Sequence, residues 1–409
     1  MGCSTKHRVD KMRILFINAL YHPYLVGGTE IVLKGLVEEL HNKGNEVKVL
    51  TLWDKDDEEE LVDGIPVFRA KVPNVYLIYT PERPNILKRR LWHLIELYNP
   101  IAKKIVSDQL KTFKPDIVQI HNMYGWSCSI WDAVSEFKIP TIQVLHDLYL
   151  LCPRNMFKNN SACRKQCLIC KIMRLPYKSK SNNLKAVIGV SNFILDRYLS
   201  YGYFKDIPIK KVIYNNKKLK KVDSSIVKKE SVDIRYINFG FIGTLKQLKG
   251  IEVLLKAYLK VKKTNYRLFV AGTGKQDYER YLKSKYKDDS IIFLGKVEPK
   301  EFFERVDATI VPSICYENLP TVVIESLSFG VPIIASKIGG IPEMIVEGVN
   351  GMFFDPYKEG DLEQKILKFE KEIHIWRSKT EEIKKSSRKF TNYEKWIDEW
   401  EKLMQEIIY

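Results

Sequence analysis

Along this chain a short, almost uninterrupted apolar run is followed by an amphipathic segment and then by another apolar run, and the pattern restarts at residue 237. An apolar run without polar alternation suits a strand covered on both faces. Parallel strands of that kind need long crossovers, usually helices. The first half offers strands at 12–18, 46–52, 65–70, 116–122, 140–147 and 186–192, and the second at 237–243, 266–274, 291–297, 308–313 and 332–336. Between the first two, Ile31, Val32, Leu36, Val37 and Leu40 recur near helical period, and Gly44 ends that helix. The expected fold class is α/β. At ~150 residues per domain, 409 residues exceed one core.

The expected organisation is a leader at 1–10, a first domain at 11–214, a Lys-rich linker at 215–235, a second domain at 236–385, and a terminal segment at 386–409. In that last segment Tyr393, Trp396, Ile397, Trp400, Leu403 and Ile407 share one helical side, which calls for a partner surface, here the first domain. No apolar run approaches the ~18–20 residues of a membrane helix. The start lacks the apolar region of a signal peptide, and Lys6 stands where a myristoylation pattern needs Ser or Thr. These readings predict a cytoplasmic protein.

A net charge of +17 attracts polyanions. Zinc-finger spacing, an aromatic RNA-binding run and a helix-turn-helix signature are all missing, so nucleic acid is not expected as a partner. That leaves an anionic membrane surface, a polyanionic acceptor or plain solubility. The segment 85–106 sets Lys88, Arg89, Arg90, Lys103 and Lys104 beside Leu91, Trp92, Leu94, Ile95 and Leu97. It reads equally as a membrane-facing helix on the inner face of the cell membrane and as a packed helix with a basic edge.

The stretch 312–356 carries the most chemistry. Glu317 lies in a loop between Pro312 and Pro320, and Glu325 lies within the helix that starts near Thr321. A helix start after a proline-containing loop offers free N–H groups to a diphosphate, while nearby carboxylates accept hydrogen bonds from sugar hydroxyls. Two solvated glutamates would give the same spacing. Gly27-Gly28 after the first strand, and Gly272 and Gly274 at another strand end, let backbone approach a ligand.

In its order E-N-x-P, E-S, G-x-P-I-I-A-S, G-G-x-P-E and G-x-N-G, this stretch resembles the donor-binding signature of family 4 of the retaining glycosyltransferases. The resemblance extends over about 12–400 and is firmest in the second half. It implies the GT-B architecture, two Rossmann-like α/β domains facing each other across a cleft. It also implies transfer of a sugar from a nucleotide-diphosphate sugar to a hydroxyl acceptor with retained anomeric configuration. No cofactor or divalent ion is expected beyond that co-substrate. By the same resemblance Glu317 sits near the reacting sugar, Glu325 binds the ribose, and the amides of Asn318 and Leu319 meet the donor. Lys249 neutralises the diphosphate, Gly243 opens its loop, Gly28 belongs to a G-G-x-E element, and His146 contacts the transferred sugar. Thr244 replaces the family's Arg; Lys246 is close enough in sequence to substitute, but a solvent-facing lysine is the preferred reading. The expected acceptor is a glycan or lipid-linked glycan in cell-surface polysaccharide synthesis.

Other readings are weaker. A metal-dependent GT-A transferase would use Asp54-Lys55-Asp56, but these run into Asp57, Glu58, Glu59 and Glu60 as a solvated acidic loop. A nicotinamide enzyme needs a strand-coupled G-x-G-x-x-G, which is absent. A noncatalytic nucleotide-sugar-binding protein remains the main rival, given Thr244. Cys152, Cys163, Cys167 and Cys170 have a spacing that could hold zinc, an iron–sulfur cluster or nothing.

Overall fold

The apolar runs become the inner strands of two separate sheets. The computed structural model describes residues 11–24, 27–76, 84–218 and 235–409. The leader at 1–10 and residues 219–234 of the expected linker lie outside the described residues.

The first half contributes β1 (Arg13–Ile17), β2 (Glu46–Leu52), β3 (Glu58–Val62), β4 (Ile65–Ala70), β5 (Ile117–Ile120), β6 (Thr141–Leu145), a small hairpin β7 (Phe157–Lys158) and β8 (Ser161–Ala162), then β9 (Ala186–Gly189) and β10 (Ile209–Val212). Its sheet runs β10-β9-β6-β5-β1-β2-β4-β3, parallel except for the β3 edge. Ile14, Leu15, Phe16 and Ile17 are fully buried, as helices on both faces require. The second half contributes β11 (Ile237–Ile242), β12 (Tyr266–Ala271), β13 (Ile291–Gly295), β14 (Ala308–Val311), β15 (Ile333–Ser336) and β16 (Gly351–Phe354). Its all-parallel order, β13-β12-β11-β14-β15-β16, is the 3-2-1-4-5-6 order of a nucleotide-binding Rossmann sheet. The chain thus forms two Rossmann-like units, and because residues of both line one shared cleft the fold is GT-B.

One expectation is corrected. Glu58–Val62 is not solvated loop but an antiparallel edge strand. Glu59 reaches Lys48 Nζ at 2.6 Å, Glu60 pairs with Arg69, and Asp56 meets Lys71 Nζ at 2.8 Å. Acidic side chains opposite the cations of β2 and β4 stabilise the pairing, and their charge discourages further strand addition.

The terminal helix Tyr393–Ile408 buries Trp396, Ile397, Trp400, Leu403 and Met404. It lies on the first half: Gln119 Nε2 donates to Met404 Sδ at 2.9 Å, and Lys43 Nζ meets Asp398 and Glu401 at 2.6 and 2.9 Å.

Candidate active site

In open α/β sheets a ligand binds beyond the carboxyl ends of the strands, where the chain order reverses. In the second sheet that point lies between β11 and β14. Gly243 follows the first, and Pro312-Ser313 follow the second. A cleft of about 510 Å³ opens there, lined by Gly28, His146, Gly243, Lys249, Glu317, Asn318, Leu319 and Thr321 among others. The structure thus gathers most of the expected site residues into one cavity. Gly272 and Glu325 stand outside the lining. Gly272, at φ 119°, supports the site from beneath, because a Cβ there would overlap the Gly243 carbonyl. Glu325 lies one turn along the Thr321–Ser328 helix with its carboxylate paired to Lys217.

Local backbone explains how the charged pair is held. The 3-10 turn Gln247–Lys249 follows β11 and ends at Gly250, which is left-handed at φ 72°. A side chain there would overlap the Pro312 carbonyl, so the two loops can interlock only at glycine. Lys249 Nζ donates to Glu317 Oε1 at 2.6 Å, and Ser313 Oγ donates to the same oxygen at 2.8 Å. Burial opposes the lysine's charge, but the Glu317 carboxylate, by its charge and its hydrogen bond, holds the pKa above the ordinary lysine value. Gly340 N fixes the other end of Glu317 by donating to its backbone carbonyl at 2.6 Å. Thr244 and Lys246 also line the cleft, and both are exposed.

Two helix starts converge on this cavity. Pro320 precedes the Thr321–Ser328 helix and provides no side-chain cap, and the Gly28–Asn42 helix starts directly opposite. A Cβ on Gly28 would lie 3.4 Å from Thr321 Cγ2, so any larger residue would narrow the gap. Converging N–H groups and dipole ends favour an anion between them.

The first half supplies a histidine pair, of which sequence reasoning found one member. His146 Nε2 and His121 Nδ1 are 2.9 Å apart, and the rings stack with centroids at 5.1 Å. His121 Nε2 faces Gln119 Oε1 at 3.3 Å, while the Gln119 amide nitrogen points to Met404. With the amide so assigned, His121 carries its proton on Nε2 and accepts at Nδ1. His146 must then be protonated at Nε2, which leaves its partnerless Nδ1 as an acceptor. Burial pushes the His146 pKa down to about 3, and burial together with His146 holds His121 well below the usual range. Both rings are neutral near pH 7, so His146 accepts a hydrogen bond and does not act as an acid. His121 also ends an apolar strand, and that position was the overlooked signal. Asp147, next in the chain, is raised by burial to about 6 and accepts from Tyr149 N at 2.9 Å.

Polar contacts join the two halves around the cleft. Asn318 Nδ2 donates to the His146 carbonyl at 2.6 Å. Glu343 accepts from the backbone N–H groups of Asn192 and Phe193 at 2.8 and 2.7 Å. The hairpin of β7 and β8 is clasped by Tyr357, whose hydroxyl accepts from Ala162 N at 2.8 Å. Of the clustered cysteines, Cys170 donates to Cys152 Sγ at 3.3 Å and Cys167 is exposed. Among the described residues no group of three His, Cys, Asp or Glu side chains is disposed to hold a metal ion.

The Glycosyltransferase Family 4 pattern matches residues 26–215, and the Glycosyl transferases group 1 pattern matches residues 224–390. An uncharacterised 42.6 kDa protein in the cps region of Klebsiella pneumoniae is 29% identical over 338 residues, covering 81% of this chain and 87% of that protein. An uncharacterised glycosyltransferase of Methanocaldococcus jannaschii is 26% identical, covering 84% and 85%. Sucrose-phosphate synthase from Thermosynechococcus elongatus superposes with a TM-score of 0.75 at 17% identity, covering 97% of this chain and 99% of that one. Anabaena HepE in complex with UDP and glucose superposes at 0.70 with 18% identity, covering 97% and 100%.

Proposed function

The chain belongs to the group 1, family 4 glycosyltransferases, and we propose that it moves a sugar from a nucleotide-diphosphate sugar to a hydroxyl of a glycan or lipid-linked glycan, with retained anomeric configuration. The observation that carries this reading is the Lys249–Glu317 pair set between the helix starts at Gly28 and Thr321. As the sugar–phosphate bond breaks, negative charge grows on the leaving diphosphate. Lys249, Lys246 and the amides at Thr321 supply positive charge already in place, which is the role a divalent ion has elsewhere. Lys246 occupies the cleft without an ion pair among the described residues, and it offsets the cation lost at Thr244. Glu317, Asn318, Leu319 and His146 Nδ1 hold the sugar, and Glu325 exchanges Lys217 for ribose hydroxyls. The cps-region relative supports a role in polysaccharide synthesis, and the UDP complexes of HepE make UDP-sugars the first donors to test.

The membrane reading changes its residues. Trp92 is buried and donates to the Tyr76 carbonyl at 2.9 Å, so it does not face a lipid surface. The Ile86–Leu97 helix instead exposes Ile86, Leu87, Leu91 and Leu94 beside Lys88 and Arg90. That combination fits an anionic bilayer.

Thermal unfolding with UDP-, GDP-, ADP- and TDP-sugars tests the donor. One nucleotide class should raise the midpoint, and Glu325→Ala should weaken its binding by ~1–3 kcal/mol. An unchanged affinity in that variant would remove Glu325 from the site.

A further inference from the structure

Beside the donor cleft lies a second cavity of about 540 Å³, continuous with it through Asp147, Tyr316 and Asn318. Its lining includes Arg89, Arg154 and Lys158. None of these cations has a hydrogen-bonded or ion-paired side-chain partner among the described residues, although the chain forms many such pairs elsewhere. Among the described residues, Asp147 is the only acidic side chain in that lining. Arg89 is not a stray surface charge. It lies three and seven positions before Trp92 and Glu96, which places all three on one face of the Ile86–Leu97 helix. Trp92 and Glu96 are buried there, and Glu96 is locked by Arg174 at 3.1 Å and by the hydroxyls of Tyr149 and Tyr177 at 2.6 and 2.8 Å. That lock holds Arg89 turned inward, partly buried, against the cavity. From the other side, Arg154 and Lys158 sit on and beside the hairpin of β7 and β8, which Tyr357 clasps. Like charges held around one cavity repel, and an anion of matching size relieves that repulsion.

We propose that this cavity is the acceptor subsite and that the acceptor carries a phosphate group, seated against Arg89, Arg154 and Lys158. The proposal rests on the glycosyltransferase reading and adds the chemical class of its second substrate. The acceptor's hydroxyl then lies toward Asp147 and the cleft. A phosphate of this kind can sit on a lipid carrier, whose chain would run along the exposed apolar side of the Ile86–Leu97 helix, or on a soluble sugar phosphate.

Isothermal titration of the full chain separates these outcomes. The donor site is first saturated with the nucleoside diphosphate that gives the largest thermal shift, so that phosphate probes cannot occupy it. Geranyl phosphate and glycerol 3-phosphate are then compared with geraniol and glycerol, in the wild type and in an R89Q/R154Q/K158Q variant. The phosphates should bind and the alcohols should not, and the variant should lose at least tenfold in phosphate affinity while keeping its nucleotide affinity and unfolding midpoint. Binding of geranyl phosphate alone supports the lipid carrier, and binding of both phosphates supports the shared phosphate chemistry. Phosphates that bind no better than the alcohols, or equally well in the variant, overturn the proposal. If no nucleoside diphosphate binds at all, the donor reading fails. The wild-type and variant difference with the phosphate probes still judges the cavity.

Discussion

Lys249 stands between two anions, the Glu317 carboxylate that holds it now and the diphosphate that would compete for it. Its stability as a cation comes from the first, and its proposed role in transfer from the second. Lys246, more exposed and without an ion pair among the described residues, should contribute less because water screens it. Lys249→Ala should therefore lower kcat/KM by at least ~100-fold, the scale of losing one preorganised donor to a developing anion. Lys246→Ala should cost about tenfold. Steady-state kinetics would show a misplaced phosphate site if the second change were the more damaging. The histidine pair gives a pH prediction. The unfolded chain protonates histidine near 6.5, whereas folded His146 stays neutral down to about 3 and folded His121 also stays neutral well below 6.5. Below pH 6.5 the unfolded state thus binds more protons, and stability falls with falling pH. Asp147 opposes this, since its raised pKa lets the folded state bind a proton between about 6 and the ordinary 3.8. Two histidines outweigh one carboxyl. Urea unfolding at pH 5 and 7 should show the loss, and His121→Gln should recover up to ~2 kcal/mol of it at pH 5. A pH-independent stability would mean the pair is not neutral in the folded protein.

At the scale of elements, the inner strands were readable because burial on both faces leaves a nearly unbroken apolar run, as in β1, β9 and β15. The edges were not. The central lysines of β10 (IKKV) are exposed, β16 opens on Gly351, and the acidic run of β3 is stabilised by cations on its neighbours, which local sequence does not show. The same limit applies to the site. Glu317 and Thr321 stood out through a dense motif and Lys249 through a separate family resemblance, but His121, Arg89 and Arg154 gain meaning only when distant segments meet. In sequence Trp92 fits a membrane-facing and a packed helix equally, and only the fold shows its indole turned inward. The exposed side of that helix makes its own prediction. The helix Leu168–Met173 adds exposed Leu168, Ile169 and Ile172, and Arg174 just beyond it is bonded to Glu96 of the first helix. Liposome sedimentation should rise with phosphatidylglycerol content and fall with salt, and L87S/L91S should reduce it. Equal binding to neutral vesicles would leave both helices as ordinary surface.

At the scale of the whole molecule, two sheets with separate switch points are useful only if their carboxyl ends meet, and the contacts between halves see to that. Asn318 bonds to the His146 backbone, Glu343 caps the Asn192–Ser200 helix across the gap, and the terminal helix returns to the first half. The donor diphosphate would then lie between helix starts from different halves, with the proposed acceptor cavity adjoining the cleft. In the proposed attack from the face that the leaving group departs, the developing charge would be met by Lys249 and backbone amides. The most direct test is NMR of the newly formed linkage, with the reaction run in parallel with and without EDTA. The account predicts a product that keeps the donor's anomeric configuration, formed at the same rate in both reactions. An inverted linkage, or turnover lost in EDTA while the protein stays folded, would contradict it.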